Sequence, residues 1–164
     1  MIRFSDTSPD VTVQPTEYRR LLGYPRGREL DERALELAEG ARLWYARHGR
    51  PWVYAREASS LDLTEGDGVV IDGVRFTSPR LHRTLRDAGA DGAVLVAISA
   101  GPELEREAQR LWRDEKPDEY FFLEVYGSAV VEHLATMAGA RLCAAADGRG
   151  QAVLPHYSPG YPGW

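Results

Sequence analysis

Cysteine is nearly absent from this chain. Cys143 is the one thiol in 164 residues, so no internal disulfide can close, and no pair or quartet of cysteines can hold a metal. Such usage belongs to a reducing, cytoplasmic setting. Long apolar runs are missing too: no stretch approaches the ~20 residues of a membrane span, and Met1 to Asp10 lacks the apolar core of a secretory signal. An excess of positive charge is also lacking, because the formal net charge is −5; gripping nucleic acid is therefore not the expected work of the chain. The sequence contains no Gly-x-Ser-x-Gly elbow and no Gly-x-x-x-x-Gly-Lys loop. The four histidines, His48, His82, His133 and His156, have no metalloprotease-type ligand spacing near any of them. Cys143 lies among alanines, a setting that suits burial better than nucleophilic attack.

What is present is the composition of a globular domain, 43% hydrophobic and 27% charged. The length fits one core, so residues 1–164 are expected to form a single domain. Asp10 to Val13 alternates like a short strand, and Pro15 opens a helix through Leu22 that Gly23 and Pro25 stop. Asp31 caps a longer helix running to Gly49, with Ala34, Ala38, Ala41 and Tyr45 on one side. Trp52 to Tyr54 reads as a strand. Val69–Ile71 and Val74–Phe76 read as two more, joined by the Asp72-Gly73 hairpin signal. Ser78-Pro79 starts a helix to Ala88, and Gly92–Ser99 is an apolar run expected to be the best buried strand. Glu103–Asp114 is helical with a solvated charged face, and Asp118–Ala146 is the longest helical pattern. This order predicts an α+β fold with a small mixed or antiparallel sheet packed by several helices, one of them long and in the C-terminal half. Asp147–Gly150 is the single linker-like stretch.

Three features invite a functional reading. Gly127-Ser128 interrupts the long helix, where glycine costs ~1 kcal/mol relative to alanine; either a ligand approaches there or the helix packs tightly. The segment Leu154 to Trp164 combines prolines, glycines, Tyr157, Tyr161 and Trp164, a composition that serves either as surface cover or as a shaped loop presenting backbone groups to a flat polar ligand. Within it, His156 stands either near a bound carboxylate or phosphate or simply on the surface. Asp118, Glu124 and His156 would be the acid–base groups of an unrelated enzyme, but nothing in the sequence fixes their geometry.

Five separated segments together resemble the activation (reactivation) domain of cobalamin-dependent methionine synthase, in particular its small free-standing relatives. They are Glu17–Tyr24, the strand leading to Phe76-Thr77-Ser78, Ile98–Leu104, Glu124–Ala129 and Ser158-Pro159-Gly160-Tyr161. The resemblance covers nearly the whole chain. It implies that S-adenosylmethionine binds at His156, Ser158, Pro159, Gly160 and Tyr161, largely through backbone groups, with His156 standing where the large synthases have an arginine. A histidine holds a carboxylate less firmly than a bidentate guanidinium. The resemblance also implies that Asp118, Glu119 and Tyr120 face a corrinoid-binding domain or protein, which carries the cobalamin, and that a reduced flavoprotein supplies an electron to it. This chain, with neither a corrinoid-binding histidine motif nor a flavin-binding region, is expected to be an accessory component with no catalytic residue or metal of its own. Relatives continue past the Pro-Gly-Tyr loop, so the end at Trp164 reads either as a shortened product or as a lineage that dispenses with the remainder. The rival expectation is a non-catalytic interaction module that docks to or regulates a corrinoid protein without binding the methyl donor.

Overall fold

Proline and side-chain caps place most of the helices. In the computed structural model, which describes residues 1–25, 27–160 and 164, α1 (Pro15–Leu21), α4 (Pro102–Arg113) and α5 (Pro117–Asp147) each begin on a proline, whose fixed φ and missing N–H suit the first helical turn. The Asp31 side chain accepts from the Ala34 amide at 2.8 Å to start α2 (Glu32–His48). Ser78 accepts from the Leu81 amide at 3.2 Å to start α3 (Pro79–Asp87). The strands are β1 (Arg3–Asp6), β2 (Trp52–Glu57), β3 (Leu61–Leu63), β4 (Gly68–Ile71), β5 (Val74–Thr77) and β6 (Val94–Ser99). They form two three-stranded sheets, ordered β1-β2-β6 and β3-β4-β5. The fold is α+β, and α5 with its 31 residues is about 46 Å long at the usual rise per residue. Among the described residues no helix is long and apolar enough to cross a membrane.

The chain divides into two compact units. One comprises Met1–Phe4, Tyr54–Ala97 and Gly139–Trp164, the other Ser5–Val53 and Ile98–Ala138. The first unit holds the antiparallel β3-β4-β5 meander, in which Val69 faces Leu63 on one side and Phe76 on the other. Asp72 and Gly73 both have positive φ, 50° and 78°, the geometry of a type I′ turn whose twist matches the strands it joins. Asp72 also serves as a hub: its carboxylate pairs with Arg56 and accepts the amides of Ser59 and Ser60 at 2.6 and 3.1 Å. The Arg56 guanidinium, first, and those amides hold the Asp72 carboxyl below its ordinary range. Val69, Ile71 and Leu85 are buried against Leu63, Phe76 and Leu81 to make a core cluster of this unit.

The second unit is organised by three buried tyrosines. Tyr126 of α5 meets Tyr18 of α1 edge-on, with ring centres 5.1 Å apart, and Tyr45 of α2 at 5.5 Å. The Tyr18 hydroxyl donates to the Phe122 carbonyl and the Tyr45 hydroxyl to that of Ala100, both at 2.7 Å. Burial pushes both phenols well above the ordinary tyrosine range. Gly127 follows in α5, and a Cβ there would lie 2.7 Å from Leu104 Cδ1. Tight helix packing therefore accounts for this glycine, as its structural reading required.

Four expectations are corrected. Asp10–Val13 belongs to no strand; its two valines are half-buried without a partner strand, and the pairing goes to Arg3–Asp6 instead. Val94–Ser99 is a strand but not a well-buried one, with Val96 40% exposed, because it lies at the edge of its sheet. Cys143 is exposed, since Leu142 and Ala146 of the same helical turn take the buried side. Asp147–Gly150 is no loose linker: the amides of Arg149 and Gln151 donate back to Ala146, and the Arg149 guanidinium pairs with Glu57 at 3.0 Å.

Two outcomes follow from this packing. Gly101 has φ +101°, and a Cβ on it would stand 2.7 Å from the Arg50 carbonyl oxygen. Gly101→Ala should therefore lose about 1–3 kcal/mol in urea denaturation; an unchanged midpoint would refute the close approach. The raised tyrosines give a pH signature. An unfolded tyrosine loses its proton near pH 10 while the buried one keeps it, so their contribution is intact below about that pH and declines as pH rises further. The urea midpoint should fall between about pH 9 and pH 11, and fall less steeply in Tyr18→Phe, which at neutral pH costs about 1 kcal/mol for the lost hydrogen bond. Parallel slopes for the two proteins would rule Tyr18 out.

Candidate functional site

The closing segment of the first unit is built from α5 outward. Once the Ala146 carbonyl has ended the helix by accepting two amides, residues 151–158 run without regular structure to a turn at Pro159-Gly160. What holds them is aromatic. Tyr157 stacks on Trp164 with centroids 5.3 Å apart and planes 20° from parallel. Trp164 meets Phe76 of β5 edge-on at 6.4 Å, and the Arg80 guanidinium of α3 lies over the Tyr157 ring at 5.4 Å. The quadrupole of an aromatic ring favours both the edge-on contact and the cation above its face.

On this base His156, Pro159 and Gly160 are exposed and Ser158 is half-buried. Gly160 has φ +90°, a conformation that side-chain-bearing residues rarely adopt, and no described atom lies within 4 Å of where a Cβ would stand. Of the five residues expected to contact the methyl donor, His156 and Ser158 stand just before this turn and Pro159 and Gly160 form it; Tyr161 lies outside the described residues. Phe76 and Arg80 are the anchors that sequence reasoning missed. Ser78-Pro79 marked the start of the helix that carries Arg80, but only tertiary packing brings that guanidinium to Tyr157.

In the second unit, Asp118, Glu119 and Tyr120 form the first turn of α5. Asp118 is exposed, Glu119 pairs with Lys116 at 3.2 Å, and Tyr120 meets Trp112 of α4 edge-on at 5.1 Å. Both carboxylates sit at the positive end of the helix, where the aligned peptide dipoles favour negative charge. Tyr120 lines a shallow groove with Gln109, Trp112 and Arg113. Glu124 is half-buried one turn further along α5. Among the described residues no three His, Cys, Asp or Glu side chains gather at metal-binding distance.

The segments that carry the family resemblance meet one another inside each unit. In the second, Glu17–Tyr24 and Glu124–Ala129 meet through Tyr18 and Tyr126, and Ile98–Leu104 reaches the same helix where Leu104 fills the space beside Gly127. In the first, Phe76 supports the ring stack that flanks Ser158-Pro159-Gly160. Set against known protein families and curated proteins, the chain matches no family model and no curated protein.

Proposed function

We propose that this chain is an S-adenosylmethionine-binding accessory domain for the reductive methylation of a protein-bound corrinoid, in a methionine synthase or a related methyltransferase. The observation that carries the reading is the Ser158–Gly160 segment, exposed at Pro159 and Gly160 and set beside the Tyr157–Trp164 stack. Its chemistry suits the ligand. Aromatic faces accept both a planar purine and a sulfonium cation, while exposed amides and carbonyls can read the polar edge of the base and the amino-acid end. His156, at the edge of the same turn, would face the carboxylate.

In the proposed reaction a partner carries the cobalamin, a reduced flavoprotein supplies it with one electron, and the methyl group passes from the sulfonium to cobalt, leaving S-adenosylhomocysteine. This chain's part is to hold the methyl donor and meet the partner, the latter through Asp118, Glu119 and Tyr120.

Titration calorimetry with S-adenosylmethionine and S-adenosylhomocysteine tests the reading. Saturable heat below about 1 mM is expected for both; no binding at that concentration overturns the methyl-donor role. If the chain nevertheless captures a corrinoid protein, the docking role stands alone. Gly160→Val, which strains the turn at an exposed position, should weaken binding about tenfold or more while leaving the circular dichroism spectrum unchanged. Equal affinity in this variant would move the site elsewhere.

A further inference from the structure

In the other unit, the C-terminal end of α2 and the length of α4 line an open groove of about 490 Å³, within the usual size range of small-molecule sites. Trp44 and His48 line it, with ring centres 5.1 Å apart and planes tilted by 34°. Around them stand Arg50, Arg106, Arg110 and Arg113, against only two carboxylates, Glu103 and Glu107. Those carboxylates are recessed and each meets an arginine: Glu107 is 18% exposed and pairs with Arg110 at 2.7 Å, and Glu103 is 28% exposed and pairs with Arg106 at 3.2 Å through one oxygen, the other being buried without a hydrogen-bond partner. Asp114, outside the groove, takes a further bond from Arg110.

Arg50 and Arg113 are different. Both are exposed, and among the described residues neither has a carboxylate within ion-pair distance; Arg50 donates to the carbonyl of neighbouring Gly49 at 2.9 Å, which uses one of its five N–H groups. A chain with a net charge of −5 thus presents one concave surface where positive charge prevails and, among the described residues, two of the guanidinium groups have no carboxylate partner. Such forks match phosphate oxygens in pairs, and the Trp44 indole, packed against His48, gives the groove an aromatic wall against which a planar ring can lie.

We propose that this groove binds a nucleotide, its base on Trp44 and its phosphates on Arg50 and Arg113. An acidic peptide would satisfy the guanidinium groups but leave the indole face unused. The site is independent of the methyl-donor loop, whose residues belong to the other unit, so either can fail without the other.

Calorimetry at low salt with ADP, adenosine, inorganic pyrophosphate and a poly-glutamate peptide separates the possibilities. ADP should saturate and bind at least about tenfold more tightly than adenosine or the peptide, and lose affinity as salt is raised. The double variant R50Q/R113Q should reduce ADP affinity about tenfold or more with an unchanged circular dichroism spectrum. Trp44→Leu should weaken ADP but not pyrophosphate, an outcome that general unfolding cannot produce. No saturable ADP binding at about 5 mM, a peptide that binds as tightly as ADP, or ADP affinity that survives R50Q/R113Q would overturn the proposal.

Discussion

The contact of Tyr18, Tyr45 and Tyr126 holds the second unit in its arrangement. Three rings supply apolar bulk from three helices, and two of their hydroxyls end on backbone carbonyls rather than on side chains. A carbonyl acceptor fixes a position along the chain as well as a partner. Tyr45 thereby holds Ala100, the residue before Gly101; Gly101 then turns with a φ only glycine readily adopts, and α4 leaves at the angle that brings Leu104 against Gly127. The glycine's weak helix propensity is offset by the leucine that its missing side chain admits. The direction of α4 in turn brings its arginines to Trp44 and His48, so the basic groove descends from the same contact.

The first unit relies on a different device. Its meander is short, and its buried apolar side chains are few for the surface they must cover. Asp72 compensates by combining the turn between β4 and β5 with anchorage of the Arg56–Ser60 segment. One carboxylate thus settles both hairpin geometry and the path of the chain before β3. The aromatic base of the candidate loop rests on this sheet through Phe76, so the loop's shape is inherited from the hairpin.

Local signals made most helices legible from the sequence. Asp31, Ser78-Pro79, Pro102 and Pro117 announce helix starts by their chemistry alone, and Asp72-Gly73 announces the turn. Strand pairing was harder to read, because it depends on partners distant in sequence. Arg3–Asp6 has little apolar character yet pairs, while Asp10–Val13 alternates as a strand should and does not. The apolar run at Val94–Ser99 is equally compatible with a central or an edge strand, and it occupies an edge. Of the candidate site, the loop's composition was readable, but its anchors Phe76 and Arg80 were not. The basic groove was hidden for a similar reason: on α4, arginines alternate with glutamates at helical pairing distance and read as a solvated face. Only the placement of Trp44, His48 and Arg50 beside them shows that the face is concave and unevenly neutralised.

The stack of Tyr157 on Trp164 has a thermodynamic consequence. Bringing two points of a flexible chain together costs configurational entropy that a ligand must otherwise overcome when it gathers a loose loop around itself. Here the two ends of the 157–164 segment are already in contact, under the guanidinium of Arg80 and against Phe76. A ligand of the kind proposed for the Pro159-Gly160 turn would therefore not have to bring Tyr157 and Trp164 together, and its affinity would be set by the contacts it makes rather than by the ordering of those two rings.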